Sequence, residues 1–587
     1  MVVKECMMSK RVYDFLYEPK TYEEIPCQFN CPVHTDVEGY IHLIRDGRWA
    51  DAHALIRETN PFPSVCGRVC QHPCETDCSR GSVDEAVSIR TLKRAATDFS
   101  YDDIIPPPRT YPTLEKVAII GAGPAGLTVA YDLARLGYRV TVFEAEKHPG
   151  GMLRYGIPAF RLPRETIDKE IEFIRMAGVD IRCDTRIGRD ITLPALKNEY
   201  KAVIIAAGAW KPATLGIPGE DLEGVYHGVD FLYKVNSGGA IPLIGKKVAV
   251  IGGGFTAMDV SRSALRLGAK EASVVYRRTK DEIPVTHEEL EDTIDEGVKL
   301  HYLVAPLDIV SDDGKTVSGI RLIKNKLGEP DDSGRRRPVP IEGSEFIMKC
   351  DIVVPAVSQY PLPDSIENQK DITLDKWDNI KIDKNTLMSD VPGVFACGDF
   401  LWGTRHVIEV IGEAHKTSVA VDSFLRGEPA EKTDKRRNNF TLNDYDEPQD
   451  KALRYDDIPR AHNPMMDNKV RSKTFAEAET GFTRDQAIRE AGRCLQCNYL
   501  WTYLPELCIM CQNCVDVCPQ SCLSIAQLSE LQHNRWLNEG IGLNEQGVTG
   551  IEIDRDLCIR CAFCKDVCPT DSITFSCFAS KVEALKA

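Results

Sequence analysis

Two cysteine runs near the C-terminus carry the sharpest chemical signal in this sequence. Cys508, Cys511, Cys514 and Cys518 precede Pro519, and Cys558, Cys561, Cys564 and Cys568 precede Pro569. Each run reads C-x2-C-x2-C-x3-C-P, a spacing that wraps three thiolates round one [4Fe-4S] cubane and sends the fourth to its neighbour. Cys508, Cys511 and Cys514 are therefore grouped with Cys568, and Cys558, Cys561 and Cys564 with Cys518. The spacer between the runs is longer than a minimal two-cluster unit needs, so an insertion is expected there.

Glycine turns supply the second signal. "KVAIIGAGPAGLTVAYDLARLGYRVTVFEA" reads as buried strand, tight turn, helix and second strand ending in acid. Gly121 permits the turn, Gly123 lets backbone approach a pyrophosphate, Gly126 lets helix and strand pack, and Glu144 suits a ribose diol. "KKVAVIGGGFTAMDVSRSALRLGAKEASVVYRR" repeats the pattern with Gly252, Gly254 and Ala257, but ends in Arg277 and Arg278 instead of an acid. Two guanidiniums there suit a 2′-phosphate and favour NADP(H) over NAD(H); the alternative is that they are simply solvated at a strand end. Two such sites in one chain imply FAD plus a nicotinamide nucleotide. "DVPGVFACGDF" supports the flavin, with Gly398 at a strand end and Asp399 placed for a ribityl hydroxyl. Hydride transfer to flavin needs alignment and dryness, not an obligatory acid or base, and none of the 12 histidines is nominated as catalytic.

At these residues the chain resembles the small (beta) subunit of NADPH-dependent glutamate synthase, a module also found at the N-terminus of dihydropyrimidine dehydrogenase. The resemblance rests on "CGRVCQHPCETDC", "VAIIGAGPAGL", "PGGMLRYGIPAFRLP", "VAVIGGGFTAMD", "YRR" and "GVFACGD", in that order, over about residues 20–430. It implies an FAD domain interrupted by a nicotinamide domain, preceded by a helical domain with two [4Fe-4S] clusters, and it adds Gly151 to the FAD set. Here that module is fused to a ferredoxin-like two-cluster unit. Three positions depart from the family pattern. Ser358 and Ala414 replace usual glycines near the nicotinamide and flavin. Lys93 falls where the pyrimidine enzyme has a glutamine ligand to iron, and an ammonium cannot ligate.

The N-terminal cysteines then pose an arithmetic problem. Cys27, Cys31, Cys66, Cys70, Cys74 and Cys78 make six, whereas two all-cysteine cubanes need eight. The family's usual C-x2-C lies just upstream of the residue that is Cys27 here, but only Cys6 precedes it, and the phrase "RCLQC" stands at 493–497 instead. Cys494 and Cys497 are therefore expected to return to the N-terminal domain and complete a cluster with Cys27 and Cys78, leaving Cys31, Cys66, Cys70 and Cys74 for the other. A zinc ribbon built from Cys494, Cys497, Cys508 and Cys511 is the competing reading, at the expense of two ligands of the first run. Cys6, Cys183, Cys350, Cys397, Cys522 and Cys577 are left over, most of them as plain buried thiols.

The elements that must position these groups follow from periodicity. "VEGYIHLIRDGRWADAHALIRETN" returns apolar residues at helical spacing, and alternating strand and helix from Lys116 to about Asp399 implies parallel sheets. "GEPDDSGRRRPVPIEG" reads as a solvated hairpin or loop, with Arg335–Arg337 an exposed face and not a binding site. Residues 428–480 read as a long linker over the surface. Thr483 and Gln486 form a capping box for a short helix that Gly492 ends, leaving Cys494 and Cys497 on a loop. The fold expected is multidomain α/β. It comprises a helical iron–sulfur domain (1–110), an FAD-binding domain (111–235 and 355–430), an NAD(P)-binding domain (236–354), a linker (431–490), and the CxxC loop with the two-cluster domain (491–587).

Composition bounds the function. The chain has 587 residues, 22 cysteines and a net charge of −16. The acidity speaks against nucleic acid, and no apolar run approaches the ~20 residues of a membrane span. The N-terminus lacks a signal peptide's apolar core, so a cytoplasmic protein is expected, and its cysteines point to redox or metal chemistry instead of disulfides. The expected function is a flavin and iron–sulfur subunit exchanging electrons between NAD(P)H and a partner redox enzyme, such as a 2-oxoacid or aldehyde oxidoreductase, through four [4Fe-4S] clusters in a hetero-oligomer. Alternatives are a free-standing diaphorase that serves ferredoxin or another acceptor, a flavin-based bifurcating subunit, and a redox-sensing scaffold without turnover.

Overall fold

The computed structural model describes residues 25–103, 115–330, 334–363, 372–428, 439–441, 458–497, 499–504, 507–527, 549–553, 558–577 and 579–581. The expectations about the extreme N-terminus, Cys6, the connector beyond residue 103, most of 431–457 and the insertion between the C-terminal runs lie outside these residues.

Two parallel sheets carry the glycine turns. The first has strand order Val394–Ala396, Ala202–Ile205, Lys116–Ile120, Arg139–Phe143, Asp180–Arg182. Its central strands are almost continuously Val, Ile and Ala and are buried on both faces, as a sheet sandwiched by helices requires. Its edge strand Val394–Ala396 arrives from beyond the second sheet, so the first domain is interrupted by the second. That second sheet orders Ile352–Pro355, Lys247–Ile251, Glu271–Tyr276, Lys299–Tyr302. An antiparallel layer of Val304–Val310, Gly319–Pro330, Arg336–Pro340 and Phe346–Met348 extends it. The short pair Ala209–Pro212 and Gln359–Pro361 ties the two crossing chains together.

The N-terminal helices Val37–Arg45, Trp49–Arg57, Pro63–Val69 and Ile89–Asp98 bury Val37, Tyr40, Ile41, Ile44, Ile56 and Leu92. Phe482, Ala487 and Ala491 join the same core. This corrects the linker reading: residues 458–490 form a packed strap. Its charges explain the packing, because Glu479 pairs with Arg90, Glu477 with Arg68 and Arg94, and Arg471 with Asp292. A polar composition suggested solvent, yet the partners are little-exposed arginines of the N-terminal helices and Asp292 of the second sheet domain.

Under the strap lies a cluster in which Arg262 bonds Glu289 and Glu296 while Arg266 also reaches Glu296. All four groups are buried, so each charge depends on its partners. The arginines outweigh burial and hold the Glu296 carboxyl at about 2, against an ordinary 4.5. Its contribution is present above the ordinary value and is lost as pH falls through about 2. Glu296→Ala should cost about 3–5 kcal/mol by leaving the buried Arg266 without a carboxylate and Arg262 with Glu289 alone. Hydrogen exchange should show lost protection in helices Phe255–Arg266 and His287–Asp295; unchanged exchange would refute the assignment.

Candidate dinucleotide cleft and cysteine cages

The two glycine turns open into one continuous cleft of about 1150 Å³. Gly121, Gly123, Glu144, Gly151 and Asp399 line it on the first-sheet side, and Gly252, Gly254, Arg277 and Arg278 on the second. Gly126 and Ala257 are buried in their helices, and Gly398 lies behind the wall, its Cβ direction 2.7 Å from Ala125. Gly121 has φ +105°, and a Cβ there would stand 2.4 Å from the Ala206 carbonyl oxygen. By contrast, a Cβ on Gly254 would meet nothing within 4 Å, and one on Gly123 only Gly151 at 3.9 Å. Turn glycines that are jammed behind and open in front leave room for phosphate at the starts of helices Pro124–Arg135 and Phe255–Arg266. The residues present therefore fit two dinucleotides.

Glu144 is buried; its carboxylate accepts from the backbone N–H groups of Ala122 (2.7 Å) and Glu146 (2.9 Å) and keeps further lone pairs. Burial, first, raises the Asp399 carboxyl to about 6, against the N–H of Arg405, 3.1 Å from Oδ1. Ser358 lines the cleft, whereas Ala414 is buried inside helix Val407–Arg426. Arg277 is exposed, but Arg278 is buried and its Nε donates to the Arg336 carbonyl at 2.8 Å. Arg335, Arg336 and Arg337 are exposed, as read from the sequence, and Arg335 also stands at the lining of the cleft.

The N-terminal thiols gather in two neighbourhoods. Burial, then the thiols of Cys497, Cys494 and Cys78, push the Cys27 thiol up. Cys31, Cys66, Cys70 and Cys74 surround the buried Lys93, and their charges outweigh burial to hold its ammonium above the usual range. Lys93 thus stands beside four thiols as a counter-charge and is not needed as a ligand. Cys494 and Cys497 are delivered by the strap helix Arg484–Ala491, which opens on the Thr483–Gln486 capping box. It ends without a left-handed glycine, since Gly492 is right-handed helical. The next residue, Arg493, is fully buried and uses its whole fork. Nε donates to Ile458 O (3.0 Å), Nη1 to Ala86 O (3.1 Å) and Glu490 (3.0 Å), and Nη2 to Asp84 (2.9 Å) and Glu85 O (2.7 Å).

In the C-terminal unit, Cys518, Cys558, Cys561 and Cys564 line one small cavity, together with the buried Cys522. Cys508 and Cys511 neighbour Cys514. Asn513 donates to the Val567 carbonyl at 3.3 Å, setting the first run against the turn that leads to Cys568. Cys568 Sγ lies 3.0 Å from the Ser572 hydroxyl. Among the described residues no three Cys, His, Asp or Glu converge as a single-ion site, and Cys494 and Cys497 face Cys27, not Cys508 and Cys511 as a zinc ribbon would need. Cys350 and Cys397 are buried and Cys183 is half-buried.

Three residues missed in the sequence join these parts. Val69 and Gln71, on either side of Cys70, line the dinucleotide cleft. Arg560, between Cys558 and Cys561, donates from Nη1 to the Cys497 carbonyl at 2.6 Å. An arginine inside a ligand run is the one sequence cue that was available.

Fold and site together define an oxidoreductase with two dinucleotide domains and an iron–sulfur domain at each end. Residues 115–418 match the pyridine nucleotide-disulphide oxidoreductase family, residues 21–104 the dihydropyrimidine dehydrogenase domain II 4Fe-4S cluster, and residues 507–572 the 4Fe-4S dicluster domain. The chain belongs to the pyridine nucleotide-disulphide oxidoreductase family and is an NAD(P)H-dependent electron-transfer enzyme with FAD and iron–sulfur domains. It is 41% identical over 506 residues to the NADP(+)-dependent formate dehydrogenase subunit beta of Moorella thermoacetica, covering 81% of this chain and 71% of that protein. It is 39% identical over 507 residues to the NADPH-Fe(3+) oxidoreductase subunit beta of Geobacter sulfurreducens, covering 80% and 75%. The glutamate synthase [NADPH] small chain of Azospirillum brasilense is 33% identical over 419 residues, covering 68% and 86%. No described helix is long and apolar enough to cross a membrane.

The geometry of the turns separates the two nucleotides. Gly121→Ala should yield protein with little bound flavin, because its methyl drives into the Ala206 carbonyl. Gly252→Ala, whose Cβ would lie 2.3 Å from Ala356 O, should keep flavin and lose nicotinamide-nucleotide binding. Flavin content and nucleotide titration check both; loss of flavin in the second variant would contradict the assignment.

Proposed function

We propose that this chain is the NADP(H)-using subunit of a larger cytoplasmic redox complex, carrying FAD and four [4Fe-4S] clusters and serving a separate catalytic subunit. The observation that carries this reading is the contiguity of the cages. The cleft wall at Val69 and Gln71 holds Cys70 between them, Cys74 neighbours both Cys31 and Cys27, and Arg560 bridges Cys497 to the Cys558 run. Helix Val407–Arg426 adds a second contact, since Gly412 is so close to Pro32 that a Cβ would stand 2.5 Å from its carbonyl oxygen. Pro32 directly follows Cys31.

When bound, FAD supplies the exchange between a two-electron hydride and single electrons, and cubanes carry electrons one at a time. The residues would do the rest. Gly121, Gly123, Gly151, Glu144, Gly398 and Asp399 seat the flavin nucleotide; Gly252, Gly254, Ala257 and the arginines at 277 and 278 seat NADP(H). Cys27, Cys78, Cys494 and Cys497 would hold one cubane, and Cys31, Cys66, Cys70 and Cys74 the next. Cys518 with Cys558, Cys561 and Cys564, and Cys568 with Cys508, Cys511 and Cys514, would hold the outer pair. The boundaries proposed for the domains follow this division, with 458–490 assigned to the strap. The relative named as a beta subunit of formate dehydrogenase favours a partner acting on a small oxidisable substrate, whereas the one named for NADPH and Fe(3+) favours delivery of electrons to an acceptor.

The decisive count is iron per flavin in anaerobically purified protein. About sixteen irons per FAD are expected, falling to about twelve in Cys494→Ser with the ferredoxin-type EPR signals kept. About twelve in the wild type, with no loss in the variant, would remove the pair from any cluster. Arg560→Ala should leave iron and flavin contents unchanged while hydrogen exchange rises at 493–497 and 558–564; unchanged exchange there would mean that the bond does not dock the C-terminal unit.

A further inference from the structure

The C-terminal unit is an internal duplication. Cys508, Cys511, Cys514 and Cys518 recur as Cys558, Cys561, Cys564 and Cys568, and the local structure recurs with them. The helical turn Asn513–Asp516 answers to Phe563–Asp566, and strand Leu523–Gln527 to Ile573–Cys577. Even the left-handed residues repeat, Met510 with Arg560, Gln512 with Ala562 and Ser521 with Asp571. In a duplication kept this closely, a place where the halves differ chemically is informative.

One such place lies just before each strand, a turn beyond the cysteine that crosses between cubanes. The second half has Ser572 there, buried, with its hydroxyl 3.0 Å from Cys568 Sγ. The first half has Cys522, also buried, with its sulfur 3.3 Å from Cys518 Sγ and its backbone N–H donating to that same Sγ at 3.3 Å. Cys522 lines the small cavity formed by Cys518, Cys558, Cys561 and Cys564, so this thiol, left over in the sequence, sits among the sulfurs of one cage. A cysteine ligates metal as its thiolate. Cys518 and Cys568 then can only accept, and the neighbouring thiol and hydroxyl become the donors. These donors are unequal, because an S–H is weak whereas an O–H facing an ionised acceptor is strong. Hydrogen bonds to cluster sulfurs are among the levers that set a cubane's reduction potential; they favour the reduced state, which carries more negative charge.

We propose that Ser572 and Cys522 are potential-setting residues of the two C-terminal cubanes. The Ser572 hydroxyl raises the potential of the cubane that Cys568 completes by more than the Cys522 thiol raises that of the cubane that Cys518 completes. The inference rests on the four-cubane reading above and on its crossing ligands. It gives a duplicated unit an electrical direction, since the donors bias a shared electron toward the cubane of Cys508, Cys511 and Cys514, and Cys511 is exposed. Arg560 adds its own charge beside Cys558, but that charge is common to all the variants that test the donors.

Anaerobic redox titration followed by EPR, on the full holoprotein, reads each midpoint against its own wild-type value. Ser572→Ala should lower one midpoint, and Ser572→Thr, which keeps the hydroxyl, should stay at the wild-type value. Cys522→Ser, which exchanges a weak donor for a strong one, should raise a different midpoint. Iron should remain at about sixteen per FAD in all three, which separates tuning from cluster loss. If Ser572→Ala sheds iron, Ser572→Cys should lower the same midpoint with iron kept; iron lost from both would make the residue structural and end the proposal. Midpoints that stay put in Ser572→Ala and Cys522→Ser would overturn it, as would a fall in Ser572→Thr equal to that in Ser572→Ala. If both variants moved one and the same midpoint, the assignment of one donor to each cubane would fail. Wild type without ferredoxin-type signals would sink the four-cubane reading itself, and the proposal with it.

Discussion

A buried guanidinium seats the segment that carries Cys494 and Cys497 on the N-terminal helices. Arg493 has no solvent to fall back on, so its charge and donors must be met by protein, and they are, by carbonyls of Ile458, Glu85 and Ala86 and by the carboxylates of Glu490 and Asp84. Glu490 also accepts from the backbone N–H groups of Ser88 and Ala461, at 2.8 and 2.7 Å. Asp84 binds Arg80 too, and hydrogen bonds led by that of Arg80 hold its carboxyl well below the usual range. Each member is satisfied only when the strap is seated on the N-terminal helices. Cys494, the next residue, then has little choice of position.

The same logic of buried charge recurs where the strap crosses the second sheet domain. Arg262, Arg266 and Arg471 face Glu289, Glu296 and Asp292, and Arg161 reaches across from the flavin side to Asp259 and Glu289. Buried ion networks contribute less to net stability than to geometry, because desolvation offsets much of the attraction. Here their geometric effect is to keep two sheet domains and a strap in register around one cleft. A hydride donor and acceptor need that alignment more than they need an acid or a base, which fits a cleft in which no histidine was nominated.

Local patterns were read correctly wherever the chemistry is local. The glycine turns, the strand alternation around them and the capping box at Thr483 depend on neighbours within a few residues, so spacing alone carries them. The tip of the hairpin at 319–340 was legible as a solvated hairpin or loop. Its tether to the strand end was not, since the exposed look of Arg335–Arg337 says nothing of the Arg278–Arg336 bond made across 58 positions. The strap failed for a similar reason. Its polar sequence resembles a solvated linker until Arg68, Arg90 and Arg94, almost four hundred residues away, are placed opposite Glu477 and Glu479.

By itself the sequence determined the kinds of group present: two dinucleotide turns, enough cysteines for four cubanes at four ligands each, and the family to which the order of motifs belongs. Covalent spacing imposes those features, and no folding is needed to count them. Which thiols face one another was decided only by tertiary structure. Cys27 and Cys497 stand together because helix packing and the Arg493 network close a loop of more than four hundred residues, whose entropic cost no local motif reports. The same is true of Arg560, whose bond to the Cys497 carbonyl exists only once both ends of the chain have been folded against each other.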